Sequence, residues 1–339
     1  MTTDLAERRK GRALTLFLIA GALALVAAIT IGVEMRASRP DLASGFVIPN
    51  LEDSIGDAQR IVVTSAEASY RIERVQRGAE RVWVMRDRGD FPVTASRLAQ
   101  LTEGLESLRY TRRMTSDASK HQRLGVTDPR QGGRGILLQV EDGRGALLVN
   151  LILGVEPAGL YVRRPDSDQT WAASGELPPL RDVASWLELR PLPIAADRLA
   201  RVEIVPSEGR AYILARDGAD QPWRIASPAL ATLAQSTVTA TAERLTQVSP
   251  VDVNLAPTIQ GTAQARVRLT TFDGVLIDGE LIPSDGKIWL KLVARGQTPE
   301  QDPAALEINN HVSDWAFALS PSDVETVVPP LNTLIPGSE

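Results

Sequence analysis

The side chains that most often carry out protein chemistry are scarce in this sequence and lie far apart along the chain. Its 339 residues contain two histidines, His121 and His311, and no cysteine. A metal site needs about three or four converging ligands, and a hydroxyl nucleophile needs a base within hydrogen-bond reach. We therefore predict surface or structural roles for both histidines, and we expect no catalytic residue, no metal ion and no cofactor.

Two further patterns resemble chemical motifs but lack the residues that would complete them. The stretch Gly132-Gly133-Arg134-Gly135 has no lysine followed by serine or threonine, which a phosphate-binding loop requires. The acids Glu141-Asp142 and Asp285 lie at predicted turns, where aspartate is common for backbone reasons. We interpret these patterns as a flexible loop and as turns.

One loop is a candidate for contact with a partner. It contains the turn Gly125-Val126-Thr127-Asp128-Pro129 between a predicted helix and a predicted sheet. Glycine and proline in such a turn can also serve only to reverse the chain direction. Both interpretations stay open, and Gly125, Asp128 and Pro129 are the candidate partner-contact residues.

Composition places the chain among globular proteins, with 43% hydrophobic and 23% charged residues. The net charge of −5 is unevenly distributed, because an arginine-rich segment from Arg60 to Arg123 precedes a more acidic C-terminal part. Such arginines could contact anionic lipids or an acidic partner, or they could be the solvated faces of strands. Only 4% of the residues are aromatic, which argues against nucleic acid as a partner.

An uninterrupted apolar run, residues 13–33, follows a basic segment, residues 1–12. A helix of this length covers about 30 Å, the thickness of a bilayer's hydrocarbon core. Because a short basic flank stays in the cytoplasm, the sequence predicts a cytoplasmic N-terminus, a single transmembrane helix at 13–33 and a periplasmic remainder. This topology places the protein in the inner membrane. A cleaved signal peptide is the alternative, but its apolar region is usually only about 7–15 residues long.

The remaining chain contains two similar series of predicted elements. Each series begins with three alternating strands, of which the third carries a tryptophan, Trp83 or Trp223. An amphipathic helix comes next, followed by a hairpin that turns at an aspartate-glycine pair. Each series closes with a short predicted helix that contains Trp186 or Trp315.

These series predict the α+β fold class: an N-terminal transmembrane helix followed by two tandem, internally duplicated, β-rich α+β domains. A linker at residues 34–59 precedes the first repeat domain at 60–190. The second repeat domain is predicted at 197–328, and residues 329–339 are a C-terminal tail.

Four motifs of the first series carry a family resemblance. They are Tyr70-Arg71-Ile72, the turn of residues 123–129, Leu151-Ile152-Leu153-Gly154 and Gly159-Leu160-Tyr161-Val162-Arg163. Their order resembles the bacterial family called domain of unknown function 4340, although the turn here is one residue longer than usual and the second series lacks it. Members of that family resemble one another as envelope proteins linked to ABC transporters of the gliding-motility type. The resemblance implies a transporter-associated accessory role and supplies no catalytic residues.

The sequence therefore predicts a single-pass, membrane-anchored extracytoplasmic accessory or binding protein. We expect a non-catalytic component of an ABC-transporter-type envelope complex, whose partners are the membrane and a membrane protein complex. A membrane-tethered envelope hydrolase and a bitopic assembly scaffold are the alternatives. The hydrolase is disfavoured because the sequence shows no nucleophile, base or metal-ligand set.

Overall fold

The computed structural model describes residues 45–192, 194–228 and 235–334, whose strands form two antiparallel sheets. Ten strands between residues 45 and 174 make the first sheet, and eight strands between residues 199 and 319 make the second. Every described strand pairing is antiparallel. Each sheet is thus confined to one half of the described chain.

The elements are numbered here in chain order. The strands of the first sheet are β1 (Gly45–Phe46), β2 (Ala58–Thr64), β3 (Ser69–Arg77), β4 (Glu80–Met85), β5 (Phe91–Pro92), β6 (Arg109–Thr115), β7 (Ile136–Asp142), β8 (Leu147–Glu156), β9 (Gly159–Arg163) and β10 (Thr170–Ser174). Those of the second sheet are β11 (Leu199–Val205), β12 (Tyr212–Ala215), β13 (Arg224–Ser227), β14 (Asp252–Leu255), β15 (Ala265–Thr271), β16 (Val275–Ser284), β17 (Lys287–Gly296) and β18 (Trp315–Leu319). The α-helices of the described residues are α1 (Ala95–Ser107), α2 (Gln235–Gln247), α3 (Asp302–Val312) and α4 (Pro321–Val327).

The strand order of the second sheet repeats the order of eight strands in the first. The first sheet runs β1-β6-β10-β9-β8-β7-β2-β3-β4-β5, and the second runs β13-β12-β11-β15-β16-β17-β18-β14. When the first sheet is read from β4 to β6, its strands follow the same sequence of connections as the second sheet. Strands β3 and β12 therefore occupy equivalent places, and β1 and β5 are additions at the two edges of the first sheet.

Alternating side chains give each sheet one face that is buried under a helix. On β3, Tyr70 and Ile72 are buried on the face that α1 covers, while the residues between them point to the opposite face. Helix α1 contributes Leu101 and Leu105, whose spacing along the chain places both on one side of the helix. Most buried residues of both halves join in one hydrophobic core, and two smaller clusters lie apart from it.

The predicted α+β class is wrong. The described part of the chain is mostly antiparallel β-sheet, and its four α-helices are short additions to two large sheets. The predicted hairpins are present, for example β7–β8 and β15–β16, but backbone hydrogen bonds join them to the other strands of the same half. Alternation along one strand gives no information on how many strands pair beside it, so the size of the sheets was underestimated.

The predicted closing helix at Trp315 is also wrong. Helix α3 ends at Val312, and Trp315 begins strand β18, which pairs with β17 on one side and β14 on the other. All five residues of β18 are buried, so this strand shows no alternation that could have marked it as a strand. The segment predicted as its counterpart in the first half contains a short 3-10 helix, Ala184–Trp186, which lies after β10, the strand equivalent to β18.

Two predicted segments fall wholly outside the described residues: the cytoplasmic N-terminus at 1–12 and the transmembrane helix at 13–33. Among the helices of residues 45–192, 194–228 and 235–334, none combines the length and the apolar character that crossing a membrane requires. The described part of the predicted tail packs against the second sheet, because Leu334 is buried and the hydroxyl of Tyr212 donates a hydrogen bond to the carbonyl of Pro329 over 2.8 Å.

Candidate functional site

The loop that contains the candidate partner-contact residues, here called loop 117–135, is folded into two short 3-10 helices. The first, Ala118–Leu124, ends at Gly125, whose φ of 64° is left-handed. The second, Pro129–Gln131, begins at Asp128, whose carboxylate accepts a hydrogen bond from the backbone N–H of Arg130 over 2.9 Å. The side chain of Arg130 also binds this carboxylate, which lowers the pKa of Asp128 below its usual value. The turn is therefore ordered by its own side chains.

Gly125 allows loop 117–135 to pack closely against the side chain of Glu156. A Cβ at this position would lie 2.5 Å from Oε1 of Glu156, so only glycine fits without a shift of that side chain. The next residue, Val126, is 0% exposed and packs with Leu137 and Ile152 of the sheet. Gly125 is buried as well, while Asp128 and Pro129 are half-buried and reach the surface.

A buried arginine holds loop 117–135 against the sheet. Arg163, at the end of β9, is 7% exposed, and its Nε donates to the carbonyl of Val126 over 3.1 Å. Its Nη1 donates to the carbonyls of Arg164 and Ser167, at 3.2 and 3.1 Å. Burial lowers the pKa of the Arg163 guanidinium below its usual value. The arginine of the Tyr-Val-Arg motif thus has a structural role that joins the loop to β9.

The two histidines lie in different settings. His121 is 4% exposed, and its Nε2 lies 2.8 Å from the carbonyl oxygen of Asp168, so it is a structural residue of loop 117–135. His311 is exposed in the last turn of α3, against the other sheet. The part of the chain that the structure describes contains no group of three or more potential metal ligands.

The other motif-like residues have backbone roles. The amides of Gly133 and Gly135 donate to carbonyls of loop 117–135, where a Cβ on either glycine would clash. The carboxylate of Asp142 accepts the amide hydrogens of the β7–β8 turn, and Glu141 pairs with Arg60 over 2.9 Å. Asp285 has a φ of 51° in the turn between β16 and β17.

A groove that sequence reasoning missed lies where the two sheets meet. It has a volume of about 680 Å³, within the range of ordinary ligand sites. We call it the inter-sheet groove. Its apolar part contains Phe91, Leu255, Pro257 and Trp315, and its polar part contains Arg77, Asp90, Glu188, Arg190, His311 and Asp314.

Aromatic side chains from both sheets pack beneath this groove. The ring centre of Phe91, on β5, lies 5.1 Å from that of Trp315 and 6.1 Å from that of Phe317, both edge-on. Gly89 has a φ of 65°, and a Cβ there would lie 2.4 Å from Cγ of Leu255. The turn before β5 therefore packs closely against the end of β14.

A partly buried ion pair joins the sheets beside the aromatic contact. Nε of Arg88 lies 2.5 Å from Oδ1 of Asp252, and Nζ of Lys287 lies 2.8 Å from Oδ2 of the same carboxylate. Burial alone would raise the pKa of Asp252, but the hydrogen bonds from Lys287 and Arg88 outweigh it and hold that pKa below its usual value. The Asp252 side chain is only 14% exposed, so this ion pair is part of the contact between the two sheets.

The rim of the groove carries both signs of charge at exposed positions. Arg190 and Glu188 are exposed on the side of the first half, and His311 and Asp314 are exposed on the side of the second. An open groove with an apolar base and a rim of mixed charge suits the binding of a polypeptide segment. One sequence signal could have pointed to it, because phenylalanine and tryptophan are rare in this chain and Phe91, Trp315 and Phe317 meet here.

Comparison with known families and proteins gave one match. A family model described as "Domain of unknown function (DUF4340)" matches residues 83–254, slightly more than half of the chain. The matched segment runs from β4 of the first sheet to β14 of the second, and so includes loop 117–135 and Phe91. Neither a curated protein nor a solved structure matches the sequence. The chain belongs to the DUF4340 family, whose defining domain has no assigned function.

Proposed function

We propose that this protein is a membrane-anchored, extracytoplasmic accessory protein that works by binding, as a non-catalytic component of an ABC-transporter-type envelope complex. The observation that carries the proposal is the inter-sheet groove, which both sheets build together. Its apolar base and mixed-charge rim match the anatomy of a surface that binds another polypeptide.

The membrane anchor is proposed from the sequence. The apolar run of residues 13–33 follows a basic segment, and such a flank stays in the cytoplasm. Both sheets would then lie on the periplasmic side of the inner membrane. The association with an ABC transporter rests on the resemblance of the first-series motifs to the DUF4340 family, which implies a link to ABC transporters of the gliding-motility type.

We propose that the occupant of the groove is an extracytoplasmic loop of a membrane-embedded partner. Leu255, which is 36% exposed, would contact an apolar side chain of that loop beside the buried rings of Phe91 and Trp315, which are fixed against each other. Arg190 and Glu188 on the side of the first half, and Asp314 on the side of the second, would orient it by charge.

Site-specific photocrosslinking in membranes tests this proposal. A photoactivatable residue in place of Arg190 should crosslink to a multi-span membrane protein that copurifies with an ATPase. The same residue in place of Glu208, which is exposed in the turn after β11 and outside the groove, is the matched control and should give no such crosslink. Crosslinks from a photoactivatable residue in place of Arg130 would show that the partner also contacts the loop at Asp128 and Pro129.

Two results would contradict the proposal. One is an equal yield of crosslinks from positions 190 and 208, since the groove would then have no special part in binding. The other is recovery of the protein alone, with hydrolytic activity on envelope polymers.

A further inference from the structure

Two arginines occupy equivalent places in the two sheets but have different surroundings. Arg74 lies four residues after Tyr70 on β3, and Arg216 lies four residues after Tyr212, directly after the end of β12. Both tyrosines are buried, and each hydroxyl donates to a backbone carbonyl 2.8 Å away. The two arginines can therefore be compared as members of one structural position.

Arg216 is fully bound by the chain itself. It is 7% exposed, and its guanidinium donates to the carbonyls of Leu199, Ala219 and Ala196 at 2.8, 2.9 and 2.5 Å. Its Cζ lies 4.7 Å from the ring centre of Trp223, in cation–π geometry. This arginine is held in place by backbone carbonyls and an aromatic ring of its own half of the chain.

Arg74 has no such set of partners. Its Nε is buried and has no hydrogen-bond partner among the described residues. It pairs in the strand register with Trp83 and lies on the face of β3 that α1 covers. A buried donor without a protein partner is costly and rare in native structures, so this nitrogen is a place where a hydrogen-bond acceptor would be stabilised.

Arg74 lines a cleft between α1 and the first sheet, here called the α1 cleft. Its volume is about 230 Å³, and its other lining side chains are mostly apolar, including Ile55, Ile61, Trp83, Leu98 and Leu105. A group the size of a water molecule takes about 30 Å³, so the cleft has room for roughly eight such groups. That space suits a short hydrocarbon chain.

On its other side, Arg74 lines an open polar groove. Arg81 and Arg144 also line this groove, together with Asp57 and Asp142. The carboxylate of Asp142 is occupied, because it accepts backbone N–H groups of its own turn at 2.8 Å. Arg74 thus stands at the boundary between an apolar cleft and a solvated groove with an excess of arginine.

We propose that the α1 cleft binds an anionic amphiphile, with its hydrocarbon chain in the cleft and its anionic group at Arg74. The ligand chemistry is a carboxylate or a phosphate ester at the end of a short alkyl chain, such as a fatty acid or the phosphate of a lipid supplies. The site shares no lining residue with the inter-sheet groove, so this proposal is independent of the transporter partner.

Titration of the full chain in phosphatidylcholine nanodiscs tests the proposal, with empty nanodiscs subtracted. The probes are octanoate, octyl phosphate and octanol, and binding is measured by calorimetry. We expect saturable binding of at least one anionic probe, and octanol should bind at least about tenfold more weakly, since it lacks the charge. The tighter of the two anions identifies a carboxylate or a phosphate as the source.

Variants locate the site. Arg74→Gln should weaken binding of the anionic probe at least about tenfold. Arg71→Gln should not, because Arg71 is exposed on the opposite face of the same strand. Thr102→Phe, which fills the cleft from α1 and leaves Arg74 in place, should also weaken binding.

Thermal unfolding separates loss of the site from loss of the fold. Arg74→Gln should unfold at the wild-type temperature or above it, whereas Arg216→Gln should unfold at a lower temperature. If Arg74→Gln unfolds at a lower temperature than the wild type, the binding of the anionic probe to Thr102→Phe decides the test. The proposal is overturned if neither anion binds saturably, if octanol binds as tightly as the anions, or if the folded cleft variants bind like the wild type.

Discussion

At the scale of single residues, buried and half-buried charged groups hold the loops and sheets of this protein in place. Arg163 binds loop 117–135 to β9, Arg216 binds carbonyls of the second half, and Asp252 joins the two sheets. Each satisfies its charge with several hydrogen bonds, which is the condition under which burial of a charge is tolerated. Arg74 is half-buried, and its buried Nε has no partner among the described residues, so it is the position assigned to a ligand.

Replacement of Arg163 should destabilise the protein. Arg163→Gln leaves the carbonyls of Val126 and Ser167 without their donor, which should lower the free energy of unfolding by about 2–3 kcal/mol. Urea unfolding of the full chain measures it. Arg164→Gln is the control, since Arg164 is exposed and its change should cost less than about 0.5 kcal/mol. Equal stabilities of the two variants would show that Arg163 does not hold the loop.

Acid should weaken the ion pair between the sheets. The pKa of Asp252 is lowered in the folded protein, so its stabilising effect is complete above the unfolded value of about 3.9 and is lost as the pH falls through the folded value. The free energy of unfolding should therefore fall more steeply between about pH 5 and pH 2 in the wild type than in Asp252→Asn. Parallel pH profiles for the two proteins would refute this assignment.

At the scale of elements, a turn and a short edge strand of the first sheet pack directly against the second sheet. The turn between β4 and β5 contains Gly89, which lets Leu255 at the end of β14 approach closely. Beside it, the short strand β5 presents Phe91 to Trp315 and Phe317. The inter-sheet groove is thus built by an edge addition that the second sheet lacks.

Alanine at Gly89 should loosen this packing. Gly89→Ala combines a left-handed φ of 65° with a clash against Leu255, and should lower the free energy of unfolding by about 2–3 kcal/mol. Gly78→Ala is a matched control, because Gly78 has a similar φ of 59° and nothing within 4 Å of the added Cβ. It should lower that free energy by only about 1–2 kcal/mol, as measured by the same denaturant titration. Equal losses in both variants would mean that the contact with Leu255 contributes nothing.

The sequence predicted local structure better than it predicted tertiary structure. Alternating residues and aspartate-glycine turns located strands such as β15 and β16, because both signals are local. The buried strand β18 shows no alternation and was mistaken for part of a helix. The groove was missed because Phe91 and Trp315 meet only through the packing of the two sheets. Arg74 and Arg216 follow the same local pattern, yet their different neighbours give them different roles.

At the scale of the whole molecule, the proposed arrangement places both sheets outside the cytoplasm behind one membrane anchor. The second sheet repeats the strand order of the first, and the contact between them is fixed by aromatic packing and an ion pair. Residues of both halves line the inter-sheet groove, whereas only residues of the first half line the α1 cleft.

A topology reporter tests the anchor. Alkaline phosphatase fused after residue 40 should be active, because the segment after the apolar run would lie in the periplasm. A reporter that works only in the cytoplasm should be inactive at the same position. Activity of the cytoplasmic reporter would overturn the proposed topology.

The central claim is that the inter-sheet groove binds a component of an envelope complex, and charge reversal at its rim tests this most directly. Arg190→Glu is compared with Arg210→Glu, an equal charge change at an exposed position outside the groove. After purification from crosslinked membranes, the amounts of copurifying permease and ATPase are measured. The account predicts about a tenfold loss for Arg190→Glu and wild-type recovery for Arg210→Glu. Equal recovery from both variants, or no such partner with the wild type, would contradict it.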